Sequence, residues 1–258
     1  MPHRPSAAAE ARERIAQLDG RASPNGRAVE ESNTKSTPRT DEMAPVQSWP
    51  DLPSEEAFAG LAGSIVDAIG PHSEADPVAL LSQTLLMFGN VVGRGPYFIT
   101  DGARQHLNEN LVLVGATSIG RKGTSSGQIR GLFREADAVW TTNQIRPGLS
   151  SGEGLIYAVR DACAGGKEDA GATDARLLVL EAEFANTLQV KRRETNTLTA
   201  VLRSAWDGDP LHTLTKNSPL RATAAHISVI GHITTDELQR LLQQGDAANG
   251  WLNRFMLI

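Results

Sequence analysis

The hydrophobic positions follow two regimes that change over near residue 110. Between Ser54 and Val92 apolar residues recur every three or four positions, the period of a helix with one buried face. Phe58, Leu61, Ile65 and Ile69 make the first row. Ser54 stands before it as an N-cap, with Glu55 and Glu56 at the positive end of the helix dipole. Val78, Leu81, Leu85, Phe88 and Val92 make the second row, behind Asp76 as cap and Pro77 at the first helical position. These two helices are expected to form a small helical segment, residues 51–100, that precedes the main fold.

From residue 110 short apolar runs alternate with amphipathic stretches. Leu111–Val114, Leu177–Leu180, Ile227–Ile230 and Phe255–Ile258 read as strands buried on both faces. Between them, Ile129, Leu132, Phe133 and Ala136 share one helix face, and Leu155, Val159 and Cys163 share another. Leu238, Leu241 and Leu242 line a third helix, opened by Thr234 and Glu237 at capping-box spacing. Ser150 and Glu153 have the same spacing, which assigns both to helix initiation. This alternation predicts an α/β domain over 101–258, with a mainly parallel sheet flanked by helices. The last run reaches Ile258 inside an expected strand, so the chain reads as C-terminally truncated.

Residues 1–50 break from both patterns. They hold six of the thirteen prolines and few large apolar residues, too little to offset the entropy of ordering, so a disordered tail is expected. Seven Lys and Arg balance seven Asp and Glu there, which argues against a basic DNA-binding arm. No apolar run approaches the roughly 20 residues of a membrane span, and no membrane partner is expected. Cys163 is the single cysteine, which excludes an intrachain disulfide and points to a reducing cytoplasm. The formal charge of −5 gives no overall attraction to nucleic acid, so such a contact would need a local patch.

Four segments carry candidate chemistry. The first runs Gly115-Ala116-Thr117-Ser118-Ile119-Gly120-Arg121-Lys122-Gly123-Thr124-Ser125, between an expected strand and an expected helix. Glycines let backbone N–H groups turn inward around phosphates, and a helix N-terminus adds positive potential. Lys122 would reach the terminal phosphates, and the hydroxyl of Thr124 or Ser125 would ligate Mg²⁺. The usual spacing is G-x-x-x-x-G-K-[ST]; here Arg121 precedes the lysine and Gly123 follows it. The alternative is a glycine-rich surface turn with solvated Arg and Lys. The second segment is Leu177-Leu178-Val179-Leu180-Glu181-Ala182-Glu183-Phe184, an apolar strand running into acids. Glu181 would support the Mg²⁺ and Glu183 would orient or activate water; alternatively both simply open the next helix.

The third segment is His226-Ile227-Ser228-Val229-Ile230-Gly231-His232, where His232 could sense the terminal phosphate or be an ordinary core histidine. The fourth, Asn249 to Phe255, places Arg254 just before the last strand. It would be an arginine finger for a neighbouring subunit, or a salt-bridged structural arginine. Lys191, Arg192 and Arg193 form the compact basic cluster outside the tail. They are the candidate nucleic-acid contact, although three charges on a solvated helix or loop are the commoner case.

Seven stretches, taken in order and spacing, resemble a known family. They are Glu74–Leu81, Phe88–Pro96, Arg121–Ser125, Glu181–Phe184, Ala205–Gly208, Gly231–Thr234 and Asn253–Phe255. They resemble a group of RecA-like P-loop proteins of unknown function from bacterial plasmids, prophages and chromosomal islands. Its members often accompany a primase–polymerase domain and are described as replicative helicases or DNA-dependent ATPases. The resemblance spans residues 56–258. It implies a RecA-like sheet, ATP and Mg²⁺ as cofactors, single-stranded DNA as partner, and a homo-oligomeric ring in which Arg254 serves the adjacent subunit.

Overall fold

Five parallel strands carry the fold, and the three central ones are mostly apolar, as burial on both faces requires. The structure, a computed structural model, describes residues 53–115, 122–162, 170–193, 196–214, 219–242 and 250–258; for Lys122 it describes the backbone alone. The expected tail, residues 1–50, and Cys163 lie outside the described residues. In chain order the strands are β1 (Phe98–Thr100), β2 (Ala103–Gln105), β3 (Asn110–Val114), β4 (Ile145–Arg146), β5 (Arg176–Glu181), β6 (Leu211–His212), β7 (Arg221–Ala222), β8 (His226–Ile233) and β9 (Met256–Leu257). The main sheet has the order β4-β5-β8-β3-β9 with every neighbouring pair parallel. The hairpins β1–β2 and β6–β7 are separate two-stranded pieces that the apolar runs did not signal.

The helices are α1 (Gly60–Ile69), α2 (Pro77–Val92), α3 (Lys122–Ala136), α4 (Ala138–Asn143), α5 (Gly152–Ala158), α6 (Phe184–Val190), α7 (Leu198–Asp207) and α8 (Thr235–Leu241). Side chains alternate across each strand, so the sheet divides the core in two. On one face Val112, Val179, Ile227 and Val229 pack with Leu155 of α5, Leu188 of α6, Leu202 of α7 and Leu238 of α8. On the other, Leu111, Leu113, Leu178 and Ile230 pack with Leu80 and Met87 of α2, Ile129 and Phe133 of α3 and Trp140 of α4. Gly231 of β8 is glycine for want of space, because a Cβ there would sit 2.5 Å from the Phe184 ring.

The N-terminal helices depart from their expected faces. Asp76 caps α2 as expected, its Oδ1 accepting from the N–H groups of Val78 at 2.8 Å and Ala79 at 3.2 Å. The buried face of α2 is nevertheless rotated. Leu85 (54% exposed), Phe88 (52%) and Val92 point outward, while Gln83, Thr84 and Asn90 lie inside. The cause is hydrogen bonding. Asn90 Nδ2 donates to the Leu177 and His226 carbonyls, and Asn90 Oδ1 accepts from Trp140 Nε1 at 3.0 Å. The helix therefore lies on the sheet as part of its core instead of standing ahead of it. Ser54 makes no capping bond; Glu55–Phe58 is a 3-10 turn, Ala59 is extended, and Leu61 of α1 is exposed.

Two smaller corrections follow the same logic. The cap of α5 is Ser151, whose hydroxyl accepts from Gly154 N–H, and not Ser150; Glu153 accepts instead from the Thr197 hydroxyl at 2.9 Å. Leu132 of α3 is exposed beside the buried Ile129 and Phe133. The capping box of Thr234 and Glu237 forms as expected. Among the described residues no helix is long and apolar enough to cross a membrane.

Candidate functional site

Because all five strands are parallel, their carboxyl ends share one edge, and each candidate residue can be placed by its position along its strand. The chain leaves β3 at Gly115, whose N–H donates to the Ile233 carbonyl at the end of β8. Residues 116–121, including Gly120 and Arg121, lie outside the described residues, as does the Lys122 side chain. The chain re-enters the described structure as the first turn of α3, packed on the α2 side of the sheet. The helix that follows β8 packs on the opposite face. Adjacent strands whose following helices diverge open a crevice at their carboxyl ends, the place where open α/β sheets bind ligands. Gly115 and Ile233 stand at its mouth.

The first turn of α3 separates its two hydroxyl candidates. Gly123 and Thr124 are exposed, and a Cβ built on Gly123 would meet open space. Ser125 is buried, with its Oγ accepting from Gln83 Nε2 at 2.8 Å. Ser126 is buried as well: its hydroxyl donates to Gln83 Oε1, and its Oγ lies 3.1 Å from His232 Nε2. His232 lies in register with Leu113 and turns toward α3. The sequence reading did not identify Gln83 or Ser126. The available signal was the polar stretch Ser82-Gln83-Thr84 set between apolar residues of one helix.

Glu181 ends β5 on the same edge. It is in register with Gly231, and Gly231 with Val112, which sets Glu181 two strands from β3, about 10 Å across the sheet. Its carboxylate turns toward the loop after β4: Oε1 accepts from the N–H groups of Gly148 at 2.6 Å and Leu149 at 2.5 Å. Gly148 has φ +96, a backbone state that suits glycine. Glu183 is exposed at the start of α6 and accepts from Asn186 Nδ2 at 3.1 Å. Among the described residues no group of three or more His, Cys, Asp or Glu side chains can hold a metal alone. A nucleotide-bound Mg²⁺ needs only one or two protein ligands beside phosphates and water; of the two expected here, Thr124 is exposed and the Glu181 carboxylate is bonded to Gly148 and Leu149.

The remaining candidates lie elsewhere. Arg254 precedes β9, at the amino edge of the sheet, opposite Gly115. Its guanidinium donates to Asp207 Oδ2 at 2.7 Å and to the Gly250 carbonyl at 2.8 Å, and lies 5.5 Å from the Trp206 ring. The basic cluster follows α6. Lys191 Nζ sits 4.2 Å from the Trp251 ring, and Arg192 donates to the Leu241 carbonyl at 2.7 Å, closing the end of α8. Both are therefore engaged within the chain, and Arg193 is exposed. A cleft of about 450 Å³ runs along the β4 edge, lined by Arg146, Gly148, Tyr157 and Arg160, with no residue of β3 or α3 in its wall. Compared with protein-family models and with curated proteins, the chain matches none.

Proposed function

We propose that the chain is a RecA-like P-loop ATPase that binds ATP with Mg²⁺ and hydrolyses it in the replication of mobile-element DNA. The observation that carries this reading is a juxtaposition at the sheet's carboxyl edge. A glycine-bounded loop joins β3 to the N-terminus of α3 beside the switch crevice, and an acid-ended strand lies two strands away. In this reading Lys122 neutralises the terminal phosphates, and the N–H groups of the loop and the first turn of α3 bind their oxygens. Thr124 and Glu181 would hold the Mg²⁺, which when bound supplies positive charge to the phosphate oxygens. Glu183 orients the attacking water, and His232 responds to the terminal phosphate.

The helicase element of the proposal, single-stranded DNA and a ring with Arg254 acting between subunits, rests on the family resemblance. For Arg254 to serve a neighbour it would have to leave Asp207. A second reading, a nucleotide-binding or DNA-tethering regulator without turnover, is favoured by one observation: the Glu181 carboxylate is already bonded to Gly148 and Leu149.

Thermal melting and steady-state ATPase assays on the chain test both readings, with and without single-stranded DNA and beside Lys122→Ala. At a hundred times its Kd a ligand adds about 2.7 kcal/mol of stability, several degrees in Tm for a domain of this size. The reading expects that rise with ATP and Mg²⁺, its loss in Lys122→Ala, and turnover that DNA stimulates. A rise without turnover selects the regulator. No rise at millimolar nucleotide refutes the ATPase and the nucleotide-binding regulator alike.

A further inference from the structure

Gln83 is fully buried (0% exposed) at the centre of α2, and its amide has a single consistent orientation. The Ala79 carbonyl, 2.9 Å away, can only accept, so the nitrogen of the amide must face it. The same nitrogen donates its second hydrogen to Ser125 Oγ. The amide oxygen then faces Ser126, and since that oxygen only accepts, the Ser126 hydroxyl must donate to it. Ser126 has one hydroxyl proton, now spent on Gln83. Its contact with His232 Nε2 can therefore be a hydrogen bond only if the imidazole is the donor. One glutamine on α2 thus requires a proton on His232 Nε2, and seats the start of α3.

We infer that Gln83 is a positioning residue for the nucleotide site, acting through Ser126 on the proton of His232 and through Ser125 on α3. The inference rests on the P-loop reading for its site, but its chemistry is independent of that reading. Gln83 touches neither nucleotide nor water in the reaction. It holds the polar side of α3 and the ring of His232 in one arrangement, so that the helical segment at residues 60–92 is coupled to phosphate binding at the other end of the network. Supporting groups of this kind commonly change activity about 10–100-fold when removed.

Two variants test it. Gln83→Met keeps the length of the side chain and removes both hydrogen-bonding functions, and Ser126→Ala cuts the link to His232 without touching α2. The first readout is the His232 tautomer in ¹H–¹⁵N imidazole spectra, assigned with His232→Asn and needing no nucleotide. The wild-type ring carries its proton on Nε2. In Gln83→Met the freed Ser126 hydroxyl donates to that nitrogen, and Nε2 gives up its proton. The second readout is ATPase kinetics: both variants lose about tenfold in kcat with KM within about twofold, and the double variant is no worse than either single one. An unchanged tautomer in Gln83→Met, or wild-type kcat in both variants, overturns the inference while leaving the P-loop reading intact. A wild-type chain that binds no nucleotide overturns the P-loop reading and with it the positioning role, whereas the tautomer still reports whether Gln83 sets the proton.

Discussion

His226 should make this protein acid-sensitive, through a mechanism that can be isolated from every other titrating group. It opens β8 at the amino edge of the sheet and is 1% exposed. Its Nε2 donates to the Gly89 carbonyl at 3.0 Å, while Nδ1 is buried with no partner among the described residues. Protonation would place a charged N–H where nothing accepts it, near the cations Arg94 and Arg176. Burial first, and those charges in addition, push the His226 pKa from 6.5 down to about 4. The unfolded chain therefore binds the proton more readily than the folded one. Stability from this group is complete above pH 6.5, falls by about 1.4 kcal/mol per pH unit below it, and levels off near pH 4. The whole loss is about 3 kcal/mol, or roughly 6–12 °C in Tm for a domain of this size. Urea titrations of the wild type and of His226→Gln at half-unit steps from pH 7.5 to 4 measure it, since glutamine can still donate to Gly89 without titrating. The difference between the two proteins should carry the slope. A flat difference across that window would refute the assignment of a neutral, singly bonded ring.

Three further outcomes are expected. Asn90→Ala removes the partner of Trp140 Nε1 and of two strand carbonyls in a dry core and should cost about 3–5 kcal/mol in urea unfolding. Combined with Trp140→Phe, the loss should be less than additive. Glu181→Ala strips the acceptor from Gly148 and Leu149, so amide exchange at those two positions should accelerate at least tenfold while β5 stays protected. Thr124→Ala should weaken Mg²⁺-dependent nucleotide affinity about tenfold and leave Tm without nucleotide unchanged. Ser125→Ala should do the reverse, lowering that Tm by a few degrees, because its hydroxyl is committed to Gln83.

The sheet was legible because its central strands are buried on both faces and so appear as mostly apolar runs; β3, β5 and β8 fall within a few residues of their expected positions. β4 was not, since two residues give no period, and with it went the orientation of Glu181, which depends on the loop that β4 launches. The position of Arg254 was available in principle: a residue just ahead of a parallel strand lies at the amino edge, away from a loop that follows one. The capping boxes show the limit of spacing rules. Thr234 and Glu237 obey theirs, whereas Glu153 found a better acceptor relationship with Thr197, a residue more than forty positions away.

The faces of α2 show why periodicity alone misplaced that helix. Apolar residues occur nearly all round it, so an apolar row can be chosen on more than one side, and the polar residues decide. Leaving Leu85, Phe88 and Val92 half-exposed forgoes roughly 2–4 kcal/mol of burial. Turning them inward would swing Gln83 and Asn90 outward together, because seven residues is close to two turns and places both on one face. That would leave the buried Trp140 Nε1 without its acceptor, at about 1–3 kcal/mol, and take one hydrogen bond each, about 0.5–1.5 kcal/mol, from the Leu177 and His226 carbonyls and from Ser125 and Ser126. At the middle of those ranges the hydrogen bonds outweigh the exposed row. They also hold α2 at two points about 10 Å apart, one at the amino edge beside His226 and one at the carboxyl edge beside His232. The helix cannot rotate or slide to bury its outer row without releasing both, and this is what makes its seat unique.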